Sequence, residues 1–188
     1  MKSCCFAGHS EITGCEKIKW YLKREITNLI INDNVGIFYN GGKGYFDQLC
    51  ADVVYEAKKD YPLIKSYCVL AYPRVKVDRS ADILSNKFDE IFYPNLERTP
   101  YNLAILKRNE WMVDNSDFMI VYVKHSWGGA ARTLKYAQKG KNTVIFNLAD
   151  HNQLFPTKLR HMRTKNGLSQ VKPADMVNVA PPAIGMYE

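Results

Sequence analysis

Two short stretches, 118-FMIVYV-123 and 143-TVIFNL-148, decide the fold class of this chain. Each is almost uninterrupted by polar residues and rich in β-branched and aromatic side chains. That is the pattern of a strand covered on both faces, as in the centre of a parallel sheet. Between them, residues 130–139 carry a helical pattern. Strand, helix and strand in succession require a crossover connection, and a crossover joins parallel strands.

The alternation continues upstream. Residues 3–7 form a short buried-type strand. Thr13, with Glu16 three positions later, makes a capping box. The helix behind it stripes Ile18, Leu22, Ile26, Leu29 and Ile30 on one face. Residues 35–40 (VGIFYN) are a second strand, followed by a helix burying Phe46, Leu49, Val53, Val54 and Ala57. A third strand spans 66–71 and stops at Pro73. A polar segment, 74–88, includes a short helix at 81–88. A brief strand covers 90–93 and a longer helix 101–116. The expected architecture is an α/β, Rossmann-like three-layer sandwich whose mainly parallel sheet has about six strands. Both apolar stretches are expected at its centre. Residues 1–149 form this domain. Residues 150–188 are expected to be a partly ordered C-terminal extension, with five basic residues and no acid between 155 and 172.

Composition narrows the classes. The chain has 188 residues, 46% hydrophobic and 24% charged, and a net charge of +7. A chain of this size buries roughly 70% of its unfolded surface and needs no staple. No apolar run approaches the roughly 18 residues of a membrane span. The N-terminus lacks the pattern of a secretory signal, so a cytoplasmic location is expected. The five cysteines show no CxxC spacing, and Cys4, Cys5, Cys50 and Cys68 lie in apolar segments as small hydrophobes. The four histidines are scattered, so neither a metal nor a cofactor is expected. The positive charge favours anionic partners without choosing among them.

In open parallel sheets, ligands sit beyond the carboxyl ends of the strands. Three small-residue turns fall there: Ala7-Gly8-His9-Ser10, Asn40-Gly41-Gly42-Lys43-Gly44 leading to Asp47, and Ser126-Trp127-Gly128-Gly129-Ala130. Glycine admits a close backbone approach, and a helix start presents N–H groups to an anion. A phosphate-bearing ligand follows from the set. Neither the P-loop signature nor GxGxxG is present, because Lys43 precedes Gly44 and the first strand lacks the glycine pattern. Arg108 either grips a phosphate with its planar fork or pairs with Asp114 or Asp117 at the helix end.

The ordered set Cys5-Phe6-Ala7-Gly8-His9, Gly41-Gly42 with Gly44-Tyr45-Phe46-Asp47, Arg108-Asn109 with Met112-Val113-Asp114 and Ser116-Asp117, and Gly128-Gly129-Ala130 resembles the YpsA family of the SLOG superfamily. That superfamily groups Rossmann-like proteins related to the LOG phosphoribohydrolases and the DprA DNA-processing proteins. The resemblance implies a nucleotide-type ligand, with Gly8, Gly41, Gly42, Gly128 and Gly129 as the pocket floor and Asp47 and Arg108 as polar contacts. His9, Lys43, Gly44, Asn109 and Asp114 complete the candidate set. It also suggests a homodimer, to which Trp111, Tyr122 or Trp127 contribute if they are not core. The LOG enzymes use a PGGxGTxxE segment whose glutamate works on the ribose; here Lys135 stands where that glutamate is expected.

The leading expectation is therefore a nucleotide-binding sensor or regulatory protein without LOG-type catalysis. A second is an N-glycosidase acting on nucleoside 5′-monophosphates, with Asp47, Asp114 or Asp117 stabilising the positive charge left on the sugar. A third is DprA-like binding of single-stranded nucleic acid, through Lys158, Arg160, Arg163 and Lys165 of the extension.

Overall fold

A computed structural model describes residues 1–12, 15–73, 86–140, 143–149, 161 and 163–167. The elements run in strict alternation at first: β1 (Lys2–Gly8), α1 (Cys15–Asp33), β2 (Val35–Asn40), α2 (Tyr45–Ala57) and β3 (Lys65–Val69). Then come β4 (Glu90–Phe92), a 3-10 turn (Tyr101–Leu103), α3 (Ala104–Asp114), β5 (Phe118–Tyr122), α4 (Gly128–Gly140) and β6 (Val144–Asn147). The six strands form one sheet in the order β4-β3-β2-β1-β5-β6, and every pairing is parallel. Among the described residues no helix is long and apolar enough to cross a membrane.

Two apolar layers cover the sheet. On one face α1 and α2 lay Ile18, Leu22, Ile26, Phe46, Leu49 and Val53 against Phe6, Phe38, Phe118 and Ile120. On the other, α3 and α4 lay Met112, Val113, Ala131 and Ala137 against Cys5, Ala7, Met119 and Val121. Successive residues of β5 serve the two layers alternately, so all five are buried. Side chains of this kind contribute roughly 1.5–3 kcal/mol each when fully buried.

Three expectations change. The stretch 143–148 is not central: β6 is outermost among the described strands. Its apolar run survives because Phe146 joins one layer and Ile145 the other. Coverage on both faces, rather than centrality, sets such a run. The helix expected from 101 begins as a 3-10 turn behind Pro100 and becomes α-helical at Ala104. Gly128, at φ 89°, starts α4 two residues earlier than the pattern suggested. The capping role of Thr13, the short helix at 81–88, and Lys158 and Arg160 lie outside the described residues.

From the extension, His161 reaches back to the body of the fold. Its Nε2 is 3.0 Å from Asp33 Oδ1, and its ring stands edge-on to Phe118 and Phe146. Lys165 Nζ lies 3.0 Å from the same carboxylate oxygen.

The strand order places the site. From β1 the chain builds outward through β2, β3 and β4, then returns to the far side of β1 with β5 and β6. The loops after β1 and β5 therefore diverge at a topological switch point, where open α/β sheets leave a crevice.

Candidate functional site

A cleft of about 570 Å³ opens at that point. Its walls come from the loop after β1 (Gly8, His9, Ser10, Glu11), from Lys43 and Asp47 around the start of α2, and from Ile105, Arg108 and Asn109 on α3. The loop after β5 and the start of α4 close it with His125, Trp127, Gly128, Gly129 and Ala130.

Its floor is a polar lattice built on the end of β2. Buried Asn40 donates from Nδ2 to the Asp47 carbonyl (2.8 Å) and accepts the Gly42 N–H on Oδ1 (2.7 Å). Asp47 Oδ2 in turn accepts the Lys43 N–H at 3.0 Å. These bonds wrap the glycine loop around the first turn of α2. Gly42 and Gly44 have φ of 65° and 96°, which a side chain at either position would strain. Gly44 has no side-chain cap to offer the helix, so the Asp47 carboxylate supplies the negative charge its N-terminus favours.

Arg108 is buried beneath this loop, only 3% exposed. Its Nη1 donates to the Gly41 carbonyl and, at 2.8 Å, to the Val69 carbonyl, joining the ends of β2 and β3. The expected pairing with Asp114 or Asp117 does not form. Asp114 instead accepts the Tyr136 hydroxyl (2.9 Å), and Asp117 accepts the Ser3 N–H (2.8 Å). Arg108 Nε is buried with no hydrogen-bond partner among the described residues. An unpaired buried donor on a charged group costs the fold free energy, and a bound acceptor would recover it.

Charge on this floor is perturbed as burial dictates. Desolvation pushes the Asp47 carboxyl up to about 6, against a smaller pull downward from the Arg108 guanidinium and the Lys43 N–H. Desolvation also lowers Arg108, partly offset by Asp47. His9 is lowered by burial and by neighbouring His125 and Lys124. Its Nε2 accepts the Lys124 N–H at 3.0 Å, which requires that nitrogen to be unprotonated.

The candidate residues thus divide. Gly8, His9, Lys43, Asp47, Arg108, Asn109, Gly128 and Gly129 line one cleft. Gly41, Gly42 and Gly44 shape the loop behind Lys43 without lining it. Asp114 is elsewhere, in a hollow of about 170 Å³ with Ser116, Asp117 and Tyr136 near the start of β5. Helical spacing separates it from Arg108: six positions along α3 carry Asp114 to the helix's far end, a site the quoted motif could not resolve.

The glycines divide too. A Cβ on Gly8 would sit 2.4 Å from the Phe46 ring, and one on Gly41 2.5 Å from Arg108 Nη1, so both admit neighbours of the fold itself. At Gly128 and Gly129 nothing lies within 4 Å of the added atom. Thr133 braces this helix start, donating to the Gly129 carbonyl and accepting the Asn109 amide, each at 3.0 Å.

Sequence reasoning left out His125, Glu11 and the role of Trp127. Three rings form a column at the cleft: His9 on His125 with centroids 3.7 Å apart, and His125 on Trp127, again 3.7 Å apart. No spacing rule announces it, because residues 9 and 125 come together only through the pairing of β1 with β5. Lys135 donates to the Ser126 carbonyl (3.3 Å). Tyr122 is core.

The X-ray structure of DNA processing protein A (DprA) from Streptococcus pneumoniae superposes with a TM-score of 0.53 at 12% identity, over 89% of this chain and 57% of that one. The chain has a DprA-like fold. It spans little more than half the length of that protein, and at such identity the likeness speaks for the fold alone. No protein-family model matches the sequence, and no curated protein matches it.

Proposed function

We propose that this protein binds a phosphorylated nucleoside or nucleotide derivative in the cleft and works as a sensor or regulatory protein. The reading includes membership of the YpsA family within the SLOG superfamily, a cytoplasmic setting and a homodimer. One observation carries it: the open backbone at Gly128 and Gly129, at the N-terminus of α4, shares a cleft with a buried guanidinium whose Nε lacks a partner. A helix start and a buried arginine lining one cavity favour an anion. The cavity's size accommodates more than a bare phosphate, because small-molecule sites run from roughly 300 to 1,000 Å³.

A thermal-shift titration with nucleoside monophosphates, cyclic nucleotides, NAD and ADP-ribose tests this. At 100 times its Kd a ligand adds about 2.7 kcal/mol of stability. The expected result is a concentration-dependent rise in Tm with at least one nucleotide. A flat response across the panel refutes the reading.

Glycosidic cleavage is the second reading, and one observation favours it. Of the three aspartates, Asp47 alone lines the cleft, where its carboxylate would stabilise the positive charge left on the sugar. Release of free base from the bound nucleotide, abolished in Asp47→Asn, would establish it.

A further inference from the structure

The His9–His125–Trp127 column lines the same cleft as the start of α4. The rings are nearly parallel, at interplanar angles of 19° and 13°. Each histidine is pinned. His9 Nε2 accepts the Lys124 N–H, and His125 Nδ1 donates to the Trp127 carbonyl at 3.1 Å. Both bonds are compatible with neutral imidazoles, which stack without repulsion. The column ends at Trp127, a residue 70% exposed although one face of its indole lies against His125. That exposure requires the opposite face to be open. An indole is an expensive surface to leave in water, and it offers a sequence-tolerant platform for a flat ring. The platform adjoins the open backbone at Gly128, one residue away, where the anion is expected.

We infer that the open face of Trp127, braced from behind by His125 and His9, stacks the heterocyclic base of the cleft's ligand. The inference rests on the nucleotide reading above. It adds that recognition is double-ended: phosphate at the start of α4, base on the aromatic column. Sugar phosphates lacking a base are then poor ligands, and purines, with their larger π-surface, bind more tightly than pyrimidines.

Calorimetric titration of the full chain with AMP, UMP and ribose 5-phosphate, for the wild type, Trp127→Ala and Trp127→Phe, separates the possibilities. Base–aromatic stacking lost to alanine corresponds to an affinity change of about 5- to 150-fold. AMP should weaken by that factor in Trp127→Ala and largely recover in Trp127→Phe. The preference of AMP over UMP should collapse in the alanine variant, which a merely structural tryptophan would not cause. Trp127 is exposed, so the alanine variant should fold; His125→Ala, which removes the brace, should weaken AMP in the same direction. Equal AMP affinity in the wild type and Trp127→Ala overturns the platform while leaving the nucleotide reading standing. Ribose 5-phosphate binding as tightly as AMP does the same. Absence of binding by any of the three to the wild type overturns the platform as stated, and with a flat response across the wider nucleotide panel it overturns both.

Discussion

Replacing Asp47 by asparagine should make this protein more stable at neutral pH and should erase part of its pH dependence. A carboxyl of ordinary pKa 3.8 sits near 6 in the fold, because burial penalises its charge more than Arg108 and the Lys43 N–H reward it. The folded state therefore holds a proton between about pH 4 and 6 that the unfolded chain has released. Stability contributed by this group is greatest below pH 4 and falls as pH rises through that window. About two pH units at 1.36 kcal/mol each place the loss on the order of 3 kcal/mol by pH 7.5. Asparagine mimics the neutral acid in size and still accepts the Lys43 N–H. Urea denaturation of both proteins at pH 4.5, 6 and 7.5 measures the difference directly, since all other titrations cancel between them. The advantage of Asp47→Asn should be about 1 kcal/mol at pH 4.5 and grow towards about 3 kcal/mol at pH 7.5. An asparagine variant that is less stable than wild type at pH 7.5, and equally so at pH 4.5, would refute the reasoning. It would mean that the attraction between Asp47 and Arg108 outweighs the cost of burying them.

Three further substitutions test the same cleft. Gly8→Ala places a methyl 2.4 Å from the Phe46 ring and should cost about 1–3 kcal/mol in denaturation, whereas Gly129→Ala, facing open space in a helix, should leave stability unchanged or slightly raised while weakening AMP in calorimetry. Arg108→Ala removes a charged donor from the Gly41 and Val69 carbonyls and should cost roughly 2–4 kcal/mol, so that a binding defect in this variant is interpretable only beside its denaturation curve. A fully stable Arg108→Ala would show that those carbonyls find other donors.

The fold was legible because each element announced itself by one period. In α2, Phe46, Leu49, Val53, Val54 and Ala57 are the helical stripe the spacing predicts, and all are buried. The strand at 35–40 falls at those residues, and the others within a few positions. Errors arose where a local pattern had two physical causes. The run 143–148 is apolar on both faces at the outermost described strand as well as it would be at a central one. Tyr101–Leu103 continues a helical spacing, but Pro100 leaves that first turn in 3-10 form.

The site was harder to read, and the reason is that a residue type does not reveal which way it faces. Gly8 and Gly129 look alike in the sequence, each opening a turn beyond a strand. One is small because Phe46 fills the space above it, and the other borders nothing. Arg108 reads as a phosphate grip or as an ion pair at the helix end; the ion pair does not form, and the buried guanidinium ties two strand ends with one donor left over. These cases share a logic. The cleft lies at the sheet's switch point, and the polar side chains of its floor, Asn40, Asp47 and Arg108, bond mainly to the fold itself. What remains beside the cavity is a helix start without side chains and a largely exposed tryptophan, with a buried donor that lacks a partner beneath them. A fold that sought only stability would have closed each of the three, and their meeting in one cleft is the physical ground for a ligand with an anionic end and an aromatic end.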